Sequence, residues 1–312
     1  MTIANIVSSF FKLLFNSIFI FLKQGILLFL VFSEKINTKG HDATAGLSLD
    51  GLSLFVYMDN GDRGNLYLSN KLEDGWEKPK GVGNNINNKK TRETGACFTS
   101  DKKSFYFVSD REGTLGGTDI WRTDWDEEKE EWGVPINCGD VINTNYDEVG
   151  VFIHPDGRTM YFSSKGHKGK GGFDIFYSIM NDDGTWNEPV NIGYPVNTTG
   201  DDVFFVPTAD GKRAYFSSFR EGGMGDQDIY IISLLDKEEK ALIIYKGKAL
   251  DSIGNVVNDI VITVYDESTG EVSGEYRPNK ATGKFLFVMK PGHSYEVTYD
   301  IQGLLASERI AL

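Results

Sequence analysis

The strongest constraint on this chain is a motif that recurs four times at a nearly constant period. "DGLSLFVYMDNGDRGNLYLS" begins at Asp50, "DKKSFYFVSDREGTLGGTDIWRT" at Asp101, "DGRTMYFSSKGHKGKGGFDIFYS" at Asp156 and "DGKRAYFSSFREGGMGDQDIYIIS" at Asp210, with spacings of 51, 55 and 54 residues. A period of this length with strand-like content indicates one supersecondary unit packed on copies of itself, as in propellers and solenoids. The glycine-rich middle of the third copy, Gly166 to Gly172, has the composition of a loop that cradles phosphate. That reading requires a helix whose N-terminal amides face the anion. Instead "FDIFYSIM" follows, β-branched and aromatic, with no helix-start signal and no G-x-x-x-x-G-K-[ST] spacing. Four hairpin loops are the simpler reading.

Each unit reads as four short strands. In the third, strand a spans 147–155, a tight turn falls at Asp156-Gly157, and strand b spans 159–165. The glycine loop leads to strand c at 174–180, a second turn covers 182–186, and strand d spans 188–193. Strand c carries Ile175, Tyr177 and Ile179 on one face and Phe176 and Met180 on the other. A strand apolar on both faces must be covered on both sides, which a blade between two neighbouring blades satisfies. Trp76-x-x-Pro79, Trp132-x-x-Pro135 and Trp186-x-x-Pro189 recur after strand c. Proline lacks the N–H that a central strand uses, so strand d is an edge. The expected fold is therefore all-β. A propeller of four recognisable blades, either complete or an arc of a larger ring, occupies residues 34–240, and a small β-sandwich occupies 241–312.

The linkers between units also repeat: "INTKGHD" (36–42), "INNKKTRE" (86–93), "INTNYDE" (142–148) and "VNTTGDD" (196–202). Their carboxylates, Asp42, Glu93, Glu148 and Asp202, read either as a ring for a cation or ligand near the axis or as Asx-type bonding that fixes the turn. Recurrence in every unit favours the second. The acid before strand c, Asp119, Asp174 and Asp228, with Asn65 in the first copy, is expected to accept amide hydrogens from the glycine loop. Arg111, His167, Lys168, Lys170 and Arg220 stand in loops that vary between units, which makes them the candidate interaction residues. His41, His154, His167 and His293 have no ligand spacing, and Cys97 and Cys138 form no metal motif. No metal and no cofactor is expected, and the two cysteines read as buried free thiols.

The formal net charge of −13 over 312 residues argues against nucleic acid or an anionic membrane surface as a partner. Residues 1–33 are of a different kind, without an acidic residue and with only Lys12 and Lys23 charged. "GILLFLVF" (25–32), with Val31 and Ser33 as the small residues before Glu34, reads as an export signal. Uncleaved, the segment would instead be an anchor in contact with the membrane. From about Tyr245 the period stops, and alternating strands follow with turns at Gly254, Thr269-Gly270, Thr282-Gly283 and Pro291-Gly292. These make the sandwich.

On "DGRTMYFSSKGHKGKGGFDIFYS", "GTWNEPVNIGYPVNTTGDDVFF" and "DGKRAYFSSFREGGMGDQDIY", the units resemble WD40-like PD40 propeller repeats of TolB type. They resemble more closely those of OmpA-family cell-envelope proteins of the Bacteroidetes. The match covers about residues 34–235. The second domain is similar to the carboxypeptidase regulatory-like domain, which follows the propeller in PorE-type components of the type IX secretion system. The resemblance implies a protein that is not an enzyme: a periplasmic, outer-membrane-associated scaffold whose partners are other envelope proteins, in a secretion or peptidoglycan-associated complex. The alternative is a glycan-binding propeller or a glycoside hydrolase. The "DDGTW" turn (182–186) is similar to the sialidase Asp box but is one residue short and lacks its serine, and no G-x-S-x-G occurs. Trp121 aligns with Tyr67, Phe176 and Tyr230, as a core residue would, which leaves Trp125 as the candidate for stacking on a sugar.

Overall fold

A computed structural model describes residues 36–312 except 39, 60–62, 74, 209–211, 224–225 and 235–241. The leader expected at 1–33 lies outside the described residues. Among those described, no helix is long and apolar enough to cross a membrane.

The chain is all-β. Blade 1 contains β1 (His41–Leu47), β2 (Ser53–Asp59), β3 (Asn65–Leu72), β4 (Gly75–Trp76) and β5 (Lys80–Gly81). Blade 2 contains β6 (Glu93–Phe98), β7 (Ser104–Ser109), β8 (Asp119–Asp126), β9 (Glu131–Trp132) and β10 (Ile136–Asn137). Blade 3 contains β11 (Glu148–Ile153), β12 (Thr159–Ser164), β13 (Asp174–Ile179) and β14 (Val190–Asn191). Blade 4 contains β15 (Asp202–Pro207), β16 (Arg213–Ser218) and β17 (Asp228–Ser233). Each blade is an antiparallel meander, with strand a, b, c and, in the first three, d in order. Strand d is shorter than its sequence suggested. Only two residues join the ladder, just after Pro79, Pro135 or Pro189, where the missing N–H costs nothing.

Strands b and c are apolar on both faces because the blades cover one another. Phe55 and Leu66 of blade 1 pack with Phe105, Phe107 and Trp121 of blade 2. Tyr106, Val108 and Ile120 of blade 2 pack with Met160, Phe162 and Phe176 of blade 3. Ile175 of blade 3 packs with Phe205 and Phe216 of blade 4. Each fully buried side chain of this size contributes about 1.5–3 kcal/mol. The tryptophans of the Trp-x-x-Pro motif turn inward to the same cores: Trp132 stacks on Phe98 at 5.6 Å and Trp186 meets Tyr106 edge-on at 6.3 Å.

Strand a carries a bulge in every blade, at Thr44/Gly46, Thr94/Ala96, Val149/Phe152 and Val203/Val206. Gly95 and Gly150 take positive φ there, and Phe204 takes the same conformation in blade 4, with φ 59°. The bulges let neighbouring inner strands approach closely. A Cβ on Gly46 would overlap the Ala96 carbonyl, and one on Gly150 would lie 3.1 Å from the Phe204 nitrogen.

The sandwich pairs β18 (Ile243–Lys248) with β21 (Lys284–Met289), opposite a sheet in the order β20 (Glu271–Tyr276), β19 (Ile260–Asp266), β22 (Ser294–Ile301), β23 (Leu304–Ala311). Its core holds Ile262, Val264, Phe287, Met289, Tyr295 and Val297. It meets blade 2 through polar side chains, Lys103–Glu275 at 2.5 Å and Arg277–Glu127 at 2.8 Å.

Candidate functional site

The ends of the blades are built from one polar framework, and its geometry decides which residues remain for a partner. Glu93, Glu148 and Asp202, each at the start of a strand a, are fully buried. Glu148 accepts hydrogen bonds from the Thr144 amide (2.9 Å), the Thr144 hydroxyl (2.8 Å) and the Ser164 hydroxyl (2.6 Å) of the adjoining strand b. Asp202 is bonded in the same way by Thr198 and Ser218, and Glu93 by Thr91 and Ser109. Among the described residues, Asp42 holds Thr38, at the exposed surface. These carboxylates close the linker turn and pin strand b, as in an Asx motif. Burial pushes Glu93 and Glu148 above the usual carboxylate range, against the pull of these hydrogen bonds. Among the described residues, no group of three or more His, Cys, Asp or Glu is arranged to hold a metal ion.

The linker asparagine is a second repeated device. Asn143 accepts from the Ile120 N–H at 2.8 Å and donates to the Ile120 carbonyl at 2.9 Å. Asn197 clips Ile175 and Asn87 clips Leu66 in the same two-bonded manner. The side chain thus continues strand c's outer ladder past the two-residue strand d.

Three of the five candidate interaction residues face this framework rather than solvent. Arg111 donates to the carbonyls of Asn85 (3.2 Å) and Ile86 (2.5 Å), pairs with Glu93 at 3.3 Å, and lies over Phe107 and Trp121. Arg220 donates to the carbonyls of Pro195 and Val196 and lies over Phe216 and Tyr230. His167 stands at the equivalent place in blade 3: its Nε2 is 2.9 Å from the Ile142 carbonyl, and its ring packs on Phe162 and Phe176. All three tie an aromatic pair to the preceding linker. The sequence signal was available, since each lies two or three residues after the serine that bonds the acid. Lys168 and Lys170 are exposed in the glycine loop.

The acid before strand c sits under that loop. Asp119 accepts from the amides of Leu115 (2.8 Å) and Gly116 (3.3 Å), and Asp174 accepts from the Lys170 amide. Burial raises the Asp174 carboxyl, and the nearby Asp202 adds to the rise. The glycines are there for the neighbouring linker. A Cβ on Gly171 would lie 2.5 Å from the Thr199 carbonyl carbon, and one on Gly116 would overlap the Tyr146 carbonyl. Asp228 closes the equivalent place in blade 4, where a Cβ on Gly223 would strike its carboxylate. Trp125 packs edge-on against Trp132 at 5.2 Å, within the β8–β9 hairpin. Cys97 and Cys138 are free, and burial pushes their thiols up to about 11 and about 12.

Large apolar side chains are also exposed on the outer strands and the last blade. Val134, Ile136 and Val190 are exposed on strands d or beside them, and Tyr194 is 77% exposed in the linker that follows. Phe204, Phe219 and Ile231 are more than half exposed on blade 4. Sequence reading missed this set, because each residue looked like ordinary strand filling.

These sheets define a β-propeller protein with an appended β-sandwich. No family model matches the chain, and no curated protein matches it. Among solved structures it is similar to TolB from Acinetobacter baumannii, at 12% identity and a TM-score of 0.43, over 86% of this chain and 54% of that one. It is similar to a structure from Agrobacterium tumefaciens assigned as TolB, at 18% identity and a TM-score of 0.42, over 78% and 73%. It is also similar to a puromycin-hydrolyzing peptidase from Mycobacterium tuberculosis, at 15% identity and a TM-score of 0.37, over 85% and 44%. The chain thus spans about half the length of the Acinetobacter protein. One expectation is corrected here. The chain was read as not an enzyme, yet the solved structures it is similar to include a puromycin hydrolase, a puromycin-hydrolyzing peptidase and prolyl endopeptidases, and that reading is withdrawn.

Proposed function

We propose that the chain is an exported protein-interaction module of the cell envelope, working in the periplasm within an outer-membrane-associated secretion or peptidoglycan-linked complex. The observation that carries this reading is how the blades divide their residues. The charged framework is spent inside the fold, while Val134, Ile136, Val190 and Tyr194 stay exposed along the outer strands. Exposed apolar side chains mark contact surfaces between proteins where they join into a patch. The export reading rests on the leader pattern at 25–33. The finer assignment rests on the resemblance of the repeats to those of envelope proteins.

The test is crosslinking in living cells of the native organism with a C-terminally tagged chain, followed by separation of membrane and soluble fractions and mass spectrometry. Envelope proteins recovered in amounts comparable to the bait are the expected result. A chain found in the cytosol, monomeric and without protein partners, overturns the reading. Bound sugar or peptide in place of a protein partner would transfer it to glycan binding or hydrolysis.

A further inference from the structure

Among the described residues, blade 4 stops one strand short of its neighbours. In blades 1 to 3 the outer edge of strand c is taken by a short strand d: Leu68 faces Lys80, Arg122 faces Ile136 and Tyr177 faces Val190. Two residues earlier along the same edge, Leu66, Ile120 or Ile175 is clipped by the linker asparagine. The equivalent positions of β17 are Ile229 and Ile231. Their sheet runs β15-β16-β17 and ends there among the described residues. The next strand in the chain, β18, follows at the spacing of a strand d, yet it pairs with β21 of the sandwich. No described strand pairs with the outer edge of β17, and Ile231 is 55% exposed on it.

We infer that β17 takes its fourth strand in trans, from an extended segment of a partner protein. An open strand edge offers alternating donors and acceptors, which an added strand satisfies along its length. Blades 2 and 3 themselves show what fits. The segment reads Pro-Ile-Asn at 135–137 and Pro-Val-Asn at 189–191, each with a second asparagine six residues on, at Asn143 and Asn197. The partner segment has that chemistry: proline to enter the edge, a β-branched residue opposite Ile231, and asparagines to bond the turn and clip Ile229. This deepens the interaction-module reading by naming the class of partner, an extended peptide within a protein, and it rests on that reading.

The probe is a peptide with the sequence of residues 186–198, WNEPVNIGYPVNT, labelled and titrated against the full chain by fluorescence anisotropy. Saturable one-to-one binding is expected. Replacing the two asparagines equivalent to Asn191 and Asn197 by alanine should weaken it at least tenfold. Ile231→Pro should also weaken it at least tenfold. The Ile231 N–H points away from β16, so proline removes a donor from the open edge and none from the existing ladder. Should that variant lose its fold, an N-methyl group on the peptide residue equivalent to Ile192 deletes the bond that Ile192 donates to the Ile175 carbonyl in blade 3, with the protein unchanged. Three results would each overturn the inference: no saturation at millimolar peptide, equal binding of a scrambled peptide, or binding that both changes leave untouched. Crosslinked envelope partners in cells without peptide binding would leave the module reading standing and remove only this one.

Discussion

The joints between inner blades and the two margins of the propeller use the same sequence motif with different results. At the joint before blade 3, Glu148 is sealed from solvent by three hydrogen bonds. At the leading margin its equivalent, Asp42, bonds Thr38 in the exposed linker. Asn143 and Asn197 are buried clips, whereas Asn37 at the leading margin is exposed. At the trailing margin, Phe204 stands where blades 2 and 3 have glycine. The motif is therefore a joint rather than a blade. Its residues contribute stability only where a neighbouring strand c and strand b complete it.

The largest test of that distinction is removal of the acid. Glu148→Ala leaves three donors without their acceptor in a dry site and should cost about 3 kcal/mol. Asp42→Ala, with water available to replace the lost bonds, should cost less than about 1 kcal/mol. Urea unfolding of the two variants checks this, and equal losses would break the distinction between joint and margin.

The asparagine clip comes next. Asn197→Ala deprives the buried Ile175 N–H of its acceptor and should cost about 2 kcal/mol. Asn37→Ala should change stability by no more than about 0.5 kcal/mol. Amide exchange at Ile175 gives a local readout, and it should accelerate in the first variant only.

The bulges offer a smaller contrast, with opposite signs. A bulky residue at φ 59° is held in a conformation that costs L side chains about 1–2 kcal/mol, so Phe204→Gly should stabilise blade 4 by about 1 kcal/mol. Gly150→Ala, at φ 66° and with its Cβ 3.1–3.2 Å from Phe204, should destabilise by about 1 kcal/mol or slightly more. A loss of stability in Phe204→Gly would show that the ring contributes more by its contact with Gly150 than its backbone costs.

These contrasts explain what the sequence could convey. The period, the four strands and the edge prolines were legible because they follow from local chemistry repeated in register. The structural role of Asp42, Glu93, Glu148 and Asp202 was legible for the same reason. The inward turn of Arg111, His167 and Arg220 was harder to see. Variation between arginine and histidine resembles a variable surface until Phe107, Phe162 and Phe216 are seen beneath them. The open edge of β17 was beyond reach, because it depends on β18 choosing β21, a pairing between residues about forty positions apart.

The smallest expected effect is a dependence on pH that has opposite signs at two kinds of carboxylate. Glu93 and Glu148 are raised by burial, so the folded chain binds protons more readily there than the unfolded chain, whose glutamates titrate near about 4.3. Their contribution is greatest at acid pH and declines as pH rises through the unfolded value toward the folded one. Asp156 behaves oppositely. Burial would raise it, but the bond and charge of His154 and the amides of Arg158 and Thr159 outweigh burial and hold it far below the usual range. Its contribution is present above about 3.9, the unfolded value, and is lost as pH falls toward the folded one. In thermal unfolding between pH 4 and 7, wild type should therefore gain on Glu148→Gln as the solution is acidified, by less than about 1 kcal/mol. Asp156→Asn should show a deficit above about pH 4 that narrows as the pH falls below it. Parallel curves for wild type and Glu148→Gln would mean that Thr144 and Ser164 hold the carboxylate as well as bulk water does, and that the joint tolerates its charge at no cost.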